Sequence, residues 1–215
     1  MDLALDDVTV RFGTTAALDG LSWAFPAGSR TSITGVAGCG KTTALKCLAG
    51  LVRPTKGRVL WNGRPVEALD RREKKRVQGS MAMVFQTDAL FDSRTVLDNV
   101  TLPLLRRAVE PAEAARRALE VLHRVGLGDA GALHPDALSG GMRRRVGLAR
   151  ALVAEPEVLF ADDPLSGLDP ATAVSMAELF NSLGGDRTLI VALPEADPRL
   201  VAERSLSLEP RALAP

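Results

Sequence analysis

The chain has 215 residues, of which 46% are hydrophobic and 25% charged, a balance that fits an ordinary folded domain and excludes a disordered or fibrous protein. Its formal net charge of +1 gives no support for a general nucleic-acid binder. The opening MDLALDDVTV carries acids where a signal peptide carries Lys or Arg, and no apolar run reaches the ~20 residues that span a bilayer. We therefore expect a protein that is soluble by itself and sits at a membrane only through a partner.

The first part of the chain is predicted to be rich in β-strands, with one early helix. LALDDVTVRFG alternates apolar and polar residues, and SWAFPAGSRTSITG ends in an apolar strand that runs into glycine. A helix is predicted from about Lys41, with Gly50 at its end. The Asn62-Gly63 pair predicts a hairpin turn. The basic run at 71–79 favours a solvated helix face over a nucleic-acid contact, because no aromatic residues are interleaved.

The second part alternates helices and strands. MAMVFQ is predicted to be a short buried strand, and TVLDNVTLPLL to begin a helical lobe. An amphipathic helix is predicted from Pro111 to Gly126, with an apolar stripe of Ala115, Ala118, Leu119, Leu122 and Val125. A helix over MRRRVGLARALVAEP, a strand VLFAD, a helix from about Pro170 and a strand TLIVAL follow. This alternation predicts an α/β fold with a mainly parallel sheet.

The segment Gly35–Thr43, GVAGCGKTT, fits the phosphate-loop pattern G-x-x-x-x-G-K-[ST] between a predicted strand and a predicted helix. Glycines let successive backbone N–H groups turn toward phosphate oxygens, and the helix N-terminus adds its dipole. We expect Lys41 to reach the β- and γ-phosphates and the Thr42 hydroxyl to bind Mg²⁺. The alternative, a glycine-rich turn followed by an accidental Lys-Thr, does not account for the strand and helix on either side.

The two cysteines, Cys39 and Cys47, are predicted to be reduced. On a single helix they would lie about 12 Å apart, too far for a disulfide. Cys39 falls inside the phosphate loop near Lys41, where a thiolate is favoured. We expect Cys39 to be alkylated readily in the free protein and protected by Mg-ATP.

Four further motifs accompany the phosphate loop. They are MVFQ, LSGGM followed by RRRVGLARAL, VLFADD and SGLD, in that order along the chain. LSGGM alone would favour a simple helix N-cap, Ser139, with a flexible turn. Together, the five motifs closely resemble those of the ATP-binding-cassette (ABC) ATPases, and the resemblance covers nearly the whole chain.

The resemblance implies a P-loop NTPase of the ABC type: an α/β fold with a mainly parallel core sheet, an N-terminal antiparallel β subdomain and a helical subdomain that carries the signature. It implies a single domain over residues 1–215, with the nucleotide-binding core at 1–85 and 156–215 and the helical part at 86–155. It also implies a head-to-tail dimer, in which ATP lies between the Walker A loop of one chain and the signature of the other.

The resemblance also implies roles for individual residues. Phe12 stacks on adenine, Gln86 senses the metal and the attacking water, and Asp162 holds Mg²⁺ through water. The residues expected to contact ATP and its metal are Phe12, Gly35, Gly38, Cys39, Gly40, Lys41, Thr42, Thr43, Gln86, Ser139, Gly140, Gly141 and Asp162. Of these, Thr42, Gln86 and Asp162 are expected at the metal, while Lys41, Gln86 and Asp163 are expected to take part in catalysis.

Less specific sequence patterns indicate which class of ABC transporter the chain resembles. ALFDSRTVLDNVTLPL, with Met142 after SGG, most resembles the ATPases of Mce/Mla-type lipid-transport systems, although small exporter and lipoprotein-release ATPases have similar lengths. The sequence stops soon after SLSLEP, so we expect no appended regulatory domain such as some sugar importers carry. Leu90 and Phe91 match the place where the family receives a helix of its membrane subunit. The resemblance implies transmembrane permease subunits as partners and a location on the cytoplasmic face of the cell (inner) membrane.

Two residues depart from the family pattern at one chemical step. Asp163 stands where the family has the Glu that polarises the attacking water, and its carboxylate is withdrawn by about 1.5 Å. Pro194 stands where the family has its switch histidine, and proline has no side-chain donor. A misplacement of about 1 Å can cost on the order of 10²-fold in rate.

Both departures affect this chain's own Walker site, whereas the signature, which serves the opposite site, is intact. We therefore favour a heterodimer with a second ABC ATPase subunit, in which this chain binds ATP but hydrolyses it slowly. A homodimer with low activity is the alternative within the transporter class. A regulatory or structural nucleotide-binding subunit and a non-transport ABC ATPase acting on DNA or the ribosome are the alternatives from other classes. The last usually carries a coiled-coil insertion or two cassettes, neither of which occurs in this sequence.

Overall fold

The computed structural model describes residues 1–183 and 187–209, and the parts of the predicted domain at 184–186 and 210–215 lie outside them. The strands are β1 Leu3–Phe12, β2 Thr15–Phe25, β3 Arg30–Thr34, β4 Lys56–Trp61, β5 Arg64–Pro65, β6 Met81–Val84, β7 Val158–Asp162, β8 Thr188–Leu193 and β9 Arg204–Ser207. The helices are α1 Lys41–Leu48, α2 Arg71–Gly79, α3 Val96–Leu105, α4 Pro111–Arg124, α5 Gly140–Leu152 and α6 Pro170–Ser182. Short 3₁₀ turns lie at Val66–Ala68, Gly128–Ala130 and Pro135–Ala137.

An antiparallel sheet in the order β2-β1-β4-β5 forms the N-terminal part. Its hairpin between β4 and β5 turns at Asn62 and Gly63, both with positive φ (48° and 74°), as a two-residue turn of this kind requires. This confirms the predicted hairpin. The basic helix α2 that follows buries none of its residues, as expected for a solvated face.

A parallel sheet in the order β6-β7-β8-β3-β9 forms the core, so the predicted fold class is confirmed. Every residue of β7 and β8 is buried, as expected for strands covered on both faces. The outer strand β9 was not among the predicted elements. Its sequence, RSLS, alternates polar and apolar residues over only four positions, which is a weak strand signal. The strand forms because it pairs with β3.

The helices α3, α4 and α5 pack together beside this sheet. The buried face of α4 consists of Ala114, Ala118, Val121 and Leu122, with Val125 just after the helix. The predicted stripe was therefore partly wrong: Leu119 is 39% exposed and Ala115 only partly buried. The predicted stripe was rotated toward one edge of the buried face, because Ala and Leu occur on both sides of the helix. No helix among the described residues is long and apolar enough to cross a bilayer.

The corrected face of α4 gives a stability prediction. Leu122 is fully buried, so Leu122→Ala is expected to lower the free energy of unfolding by about 2–5 kcal/mol through lost contacts and a residual cavity. The same change at the half-exposed Leu119 is expected to cost less than about 1 kcal/mol. Urea unfolding of the two variants measures the difference. Equal losses would mean that α4 packs through the originally predicted stripe.

Candidate functional site

The carboxyl ends of three adjacent parallel strands bring the candidate site together. Strand β3 ends at Thr34, β7 at Asp162 and β8 at Leu193, and the sheet order β7-β8-β3 makes them neighbours. Loops that leave the same edge of a parallel sheet converge there, which is where ligands bind in open α/β sheets. The phosphate-loop segment, the carboxylate pair Asp162-Asp163 and Pro194 therefore lie side by side.

The phosphate-loop segment depends on glycines for its tight packing. Gly40 has φ +103°, and a Cβ there would lie 2.3 Å from the carbonyl oxygen of Ala17 on β2. A Cβ on Gly35 would lie 2.3 Å from the carbonyl oxygen of Leu208. The loop thus threads between β2 and the residues that follow β9, and α1 begins directly after it at Lys41. The first N–H groups of α1 lack intrahelical partners and form a ready anion-binding end.

The Lys41 ammonium lies folded over this loop. Its Nζ donates to the carbonyl oxygens of Gly35 (2.5 Å) and Val36 (2.9 Å) and contacts the Cys39 sulfur at 3.8 Å. Within the described residues it makes no ion pair with a carboxylate. A cation held only by neutral acceptors at a helix N-terminus suits an incoming phosphate.

Thr42 and Asp162 supply an all-oxygen donor pair. The Thr42 hydroxyl donates to Asp162 Oδ2 at 2.8 Å, and Asp162 is only 6% exposed at the end of β7. Hydroxyl and carboxylate oxygens at this spacing are the ligand types that Mg²⁺ prefers, so the residues fit the metal. The predicted third contributor, Gln86, is exposed in the loop after β6, and its backbone carbonyl oxygen accepts a hydrogen bond from Arg144.

Asp163 adopts an unusual backbone conformation next to Asp162. Its φ is +48°, in the left-handed region that Asp tolerates better than most residues. Its N–H donates to the carbonyl oxygen of Ala192 on β8, and its carbonyl accepts from the Ser166 N–H at 3.2 Å. Burial raises the pKa of the Asp163 carboxyl above its ordinary value and Asp162 raises it further, while a hydrogen bond from the Ser166 side chain lowers it. A raised pKa strengthens a carboxylate as a proton acceptor.

This arrangement predicts how pH acts on hydrolysis. The catalytic role expected of Asp163 requires the deprotonated carboxylate, so we expect activity to be lost as pH falls through the pKa of Asp163. Ser166→Ala removes the hydrogen bond that lowers this pKa, so the acidic limb of the kcat–pH profile is expected to move to higher pH. Ser175→Ala, whose hydroxyl contacts only Arg145 among its described hydrogen bonds, is the control and is expected to leave the limb in place. An acidic limb that moved to lower pH in the Ser166 variant would contradict Asp163 as the titrating group.

Pro194 lies directly against the phosphate loop. It follows β8, is exposed, and its carbonyl oxygen accepts from the Gly35 N–H at 3.3 Å. A cavity of about 490 Å³ beside it is lined by Asp163, Ser166, Pro194 and residues 195–199. Neither histidine lines this cavity, and both are exposed: His123 on α4 and His134 before the 3₁₀ turn at Pro135–Ala137. The position adjoining Gly35 therefore has no imidazole.

The LSGGM segment forms the N-terminus of α5. Ser139 is its N-cap, and the Ser139 hydroxyl accepts from the Met142 N–H at 3.2 Å, so the simple capping role is present. Ser139 and Gly140 are exposed, and a Cβ on Gly140 would meet nothing closer than 3.9 Å. A Cβ on Gly141 would lie 2.6 Å from Thr172 on α6, so this glycine permits close packing of two helices. The exposed helix start offers N–H groups to an anion outside the chain.

Phe12, Gly38 and Thr43 are further residues expected to contact ATP, and the expectations about Cys39 are corrected. The Phe12 ring at the end of β1 is 57% exposed, as a stacking surface must be, Gly38 has φ +80° in the loop, and Thr43 lies in the first turn of α1. Cys39 precedes α1 and is only 5% exposed, so the expectations of a shared helix and of ready alkylation were wrong. The loop folds its sulfur inward against Gly35, and both cysteines are free and buried.

The ABC transporter family profile matches residues 18–166, which include the phosphate loop, the LSGGM segment and the carboxylate pair. The chain belongs to the ABC transporter family of ATP-binding cassettes. Its curated relatives include the methionine import ATP-binding protein MetN of Rhizobium johnstonii, 41% identical over 88% of this chain and 52% of that protein. MetN 3 of Pseudomonas fluorescens is 41% identical over 84% of this chain and 56% of that protein. This cassette thus spans about half the length of these relatives.

Solved ABC structures share the fold. A dimeric structure of the bacterial ABC transporter cassette MJ0796 superposes with a TM-score of 0.86 at 31% identity, covering 96% of this chain and 94% of that one. A dimeric post-hydrolysis state of the same cassette, bound to ADP and Pi, superposes with a TM-score of 0.81 over 90% and 88% of the two chains. The predicted ABC ATPase fold is therefore confirmed for this cassette.

Sequence patterns missed two features of the site. Ser166 was placed in the SGLD motif without its contact to Asp163, which depends on the positive φ of Asp163. Arg144 was one of three arginines in a row, and nothing in that run marks it as the one that turns inward. The burial of Arg144, which is only 9% exposed, is seen only in the folded structure.

Proposed function

We propose that this cassette is the ATP-binding subunit of an ABC transporter and couples ATP binding and hydrolysis to transport through separate membrane subunits. The observation that carries the proposal is the convergence of the phosphate loop, Lys41, Thr42 and the Asp162-Asp163 pair at one sheet edge. An exposed apolar side chain, Phe91 at 44%, lies on the loop before α3, where a helix of a membrane subunit can pack. The location that follows is the cytoplasmic face of the membrane, reached through the permease subunits, with no role for nucleic acid.

The chain's own residues suggest how ATP is handled. The loop N–H groups and the Lys41 ammonium bind the β- and γ-phosphates, with Lys41 exchanging its two carbonyl acceptors for phosphate oxygens. Thr42, Asp162 and Gln86 hold Mg²⁺, which when bound neutralises charge on the phosphate oxygens. Asp163 orients the attacking water and accepts its proton. Phe12 stacks on the adenine ring.

Hydrolysis at this site is proposed to be slow. The Asp163 side chain is one methylene shorter than the family's Glu, which withdraws the carboxylate by about 1.5 Å. A group that activates water tolerates little misplacement. Pro194 adjoins the phosphate loop and provides no side-chain donor to the γ-phosphate. A regulatory or structural subunit that binds ATP with little hydrolysis is the extreme form of the same proposal.

A second ABC ATPase subunit is the proposed partner. Ser139 and Gly140 are exposed at the start of α5 and Gly141 is partly buried next to them, and the resemblance assigns all three to the ATP held by the opposite subunit. Because the weakened residues serve this chain's site while the signature serves the partner's, we favour a heterodimer over a homodimer of low activity.

The transported substrate has two candidates. The relatives' names favour methionine import. The ALF…DN…PL pattern with Met142 favours a lipid, whereas the two relatives named above carry methionine-import names. ATPase activity of the chain purified with its membrane subunits, compared with added methionine and with added phospholipid vesicles, distinguishes the two. Stimulation by one alone assigns the substrate class.

The heterodimer proposal has a sharp test in the assembled transporter. Gly140→Asp adds a carboxylate at the exposed start of α5, where the side chain has room and the helix dipole favours an acid, so the fold is expected to tolerate it. It is expected to lower the transporter's ATPase rate about tenfold or more, because it repels the partner's γ-phosphate. Lys41→Ala is expected to lower that rate by roughly threefold or less, because it affects only the slow site. In a homodimer both changes remove nearly all activity, which would refute the heterodimer.

A further inference from the structure

The side chain of Arg144 joins two loops of the site from within the signature helix. It is 9% exposed, and its Nη1 donates to the carbonyl oxygens of Phe85 (3.2 Å) and Gln86. Its Nη2 donates to the carbonyl oxygen of Ser166 at 3.1 Å. One guanidinium on α5 therefore ties the loop after β6 to the loop after β7.

The segment that follows Gln86 is bound to the same helix. Arg150 donates to the carbonyl oxygens of Asp88 (3.1 Å) and Ala89 (2.7 Å). The Asp88 carboxylate faces Arg143 at 3.5 Å and Arg144 at 3.4 Å. Since α5 carries these arginines, a shift of this loop must act on α5 or break several contacts.

The contact between Asp88 and Arg144 is incomplete. Asp88 Oδ1 and Arg144 Nε face each other within ion-pair distance, yet both atoms are buried without a hydrogen bond. Buried polar groups in folded proteins are nearly always satisfied, so an unsatisfied facing pair marks a place where a small movement gains a charge-assisted bond. Asp88 lies on the loop after β6, two residues beyond Gln86.

The identity of the side chain matters for this arrangement. An arginine presents a planar fork of five N–H donors and can serve three carbonyl oxygens and a carboxylate at once. A lysine at the same position has one compact ammonium and cannot reach oxygens on both loops with the same geometry. The arrangement is specific to arginine and not merely to positive charge.

We propose that Arg144 is a positioning residue that holds Gln86 and the Asp163–Ser166 loop in a fixed relation to the signature. The Ser166 N–H in turn donates to the backbone carbonyl oxygen of Asp163, so Arg144 is linked to the backbone of Asp163 through one intermediate residue. The proposal rests on the ATPase function and is independent of whether Asp163 makes that function slow.

The test compares Arg144→Lys with Arg145→Lys, the same change one residue along α5. Arg145 contacts the Val125 carbonyl and the Ser175 hydroxyl and neither loop. Single-turnover ATP cleavage, with protein in excess over ATP, measures the rate constant of cleavage even where hydrolysis is slow. Arg144→Lys is expected to lower the rate constant about fivefold or more with the Mg-ATP dissociation constant within about twofold of wild type, and Arg145→Lys to change both by less than about twofold. Repeating the pair in an Asp163→Glu background separates this effect from the strength of the hydrolytic carboxylate.

Two further measurements test the proposal: proteolysis, which does not depend on ATP hydrolysis, and a double variant, which tests whether Asp88 and Arg144 act together. Chymotrypsin cleavage after Phe85, which is 37% exposed, is expected to be faster in Arg144→Lys than in wild type or Arg145→Lys, because its carbonyl is released. Asp88→Asn combined with Arg144→Lys is expected to lower the cleavage rate of ATP no further than Arg144→Lys alone, because the two side chains act through one contact. The proposal would be overturned if Arg144→Lys left the rates of chymotrypsin cleavage and of ATP cleavage unchanged. It would also be overturned if Arg144→Lys and Arg145→Lys changed these rates equally.

Discussion

Asp163→Glu is expected to raise the steady-state ATPase rate of the purified chain by roughly 10- to 100-fold. The added methylene returns the carboxylate by about 1.5 Å to the reach that the family's Glu has. The backbone at Asp163 is left-handed, with φ +48°, a conformation that Glu adopts less readily than Asp. We therefore expect a small loss of stability to accompany the higher ATPase rate. The kcat of the two proteins under saturating Mg-ATP measures the effect.

Two controls make this result interpretable. Asp163→Asn keeps the length of the side chain and removes the charge, so its kcat is expected to fall below that of wild type. Pro194→His adds a donor beside the Gly35 N–H, and combined with Asp163→Glu it is expected to give the highest rate of the set. If Asp163→Glu lowered kcat while the protein remained folded, the short carboxylate would be the better fitted one and the weakened-site proposal would fail.

Lys41→Ala is expected to weaken Mg-ATP binding by this chain roughly 30- to 150-fold, the equivalent of about 2–3 kcal/mol for a charge-assisted contact to phosphate. In the structure its ammonium is held by the carbonyl oxygens of Gly35 and Val36 and by no carboxylate among the described residues, so phosphate is its strongest available partner. Equilibrium binding of a fluorescent ATP analogue gives the dissociation constants directly.

Lys46→Ala is the matched control for this change. Lys46 lies in the last turn of the same helix, α1, away from the phosphate loop. Its removal is expected to leave nucleotide affinity within about twofold of wild type, because a helix dipole effect falls off within one turn. Equal weakening by both substitutions would mean that general positive charge, and not the placement of Lys41, holds the nucleotide.

Motifs with a strong local cause could be predicted from the sequence. The phosphate loop needs glycine at Gly35 and Gly40, and the structure shows why: a Cβ at either position would overlap a backbone oxygen. The two buried strands, β7 and β8, and the Asn62-Gly63 turn carry equally direct signals. Each of these features depends on residues within a few positions of one another.

Features that depend on distant parts of the chain could not be predicted in this way. Strand β9 is defined by pairing with β3, about 170 residues earlier, and Leu208 beyond it packs on Gly35. The inward turn of Arg144, and not of its neighbours in RRR, depends on carbonyl oxygens from two other loops. The burial of Cys39, which corrected its expected reactivity, follows from the way the loop closes over it.

The turnover number of the wild-type chain without any second ATPase subunit tests the weakened site most directly. The proposal predicts a kcat below about 0.1 s⁻¹, on the order of a hundredfold under the ~10 s⁻¹ median of enzymes, together with Mg-ATP binding that Lys41→Ala weakens. A wild-type kcat of about 1 s⁻¹ or more under the same conditions would contradict it.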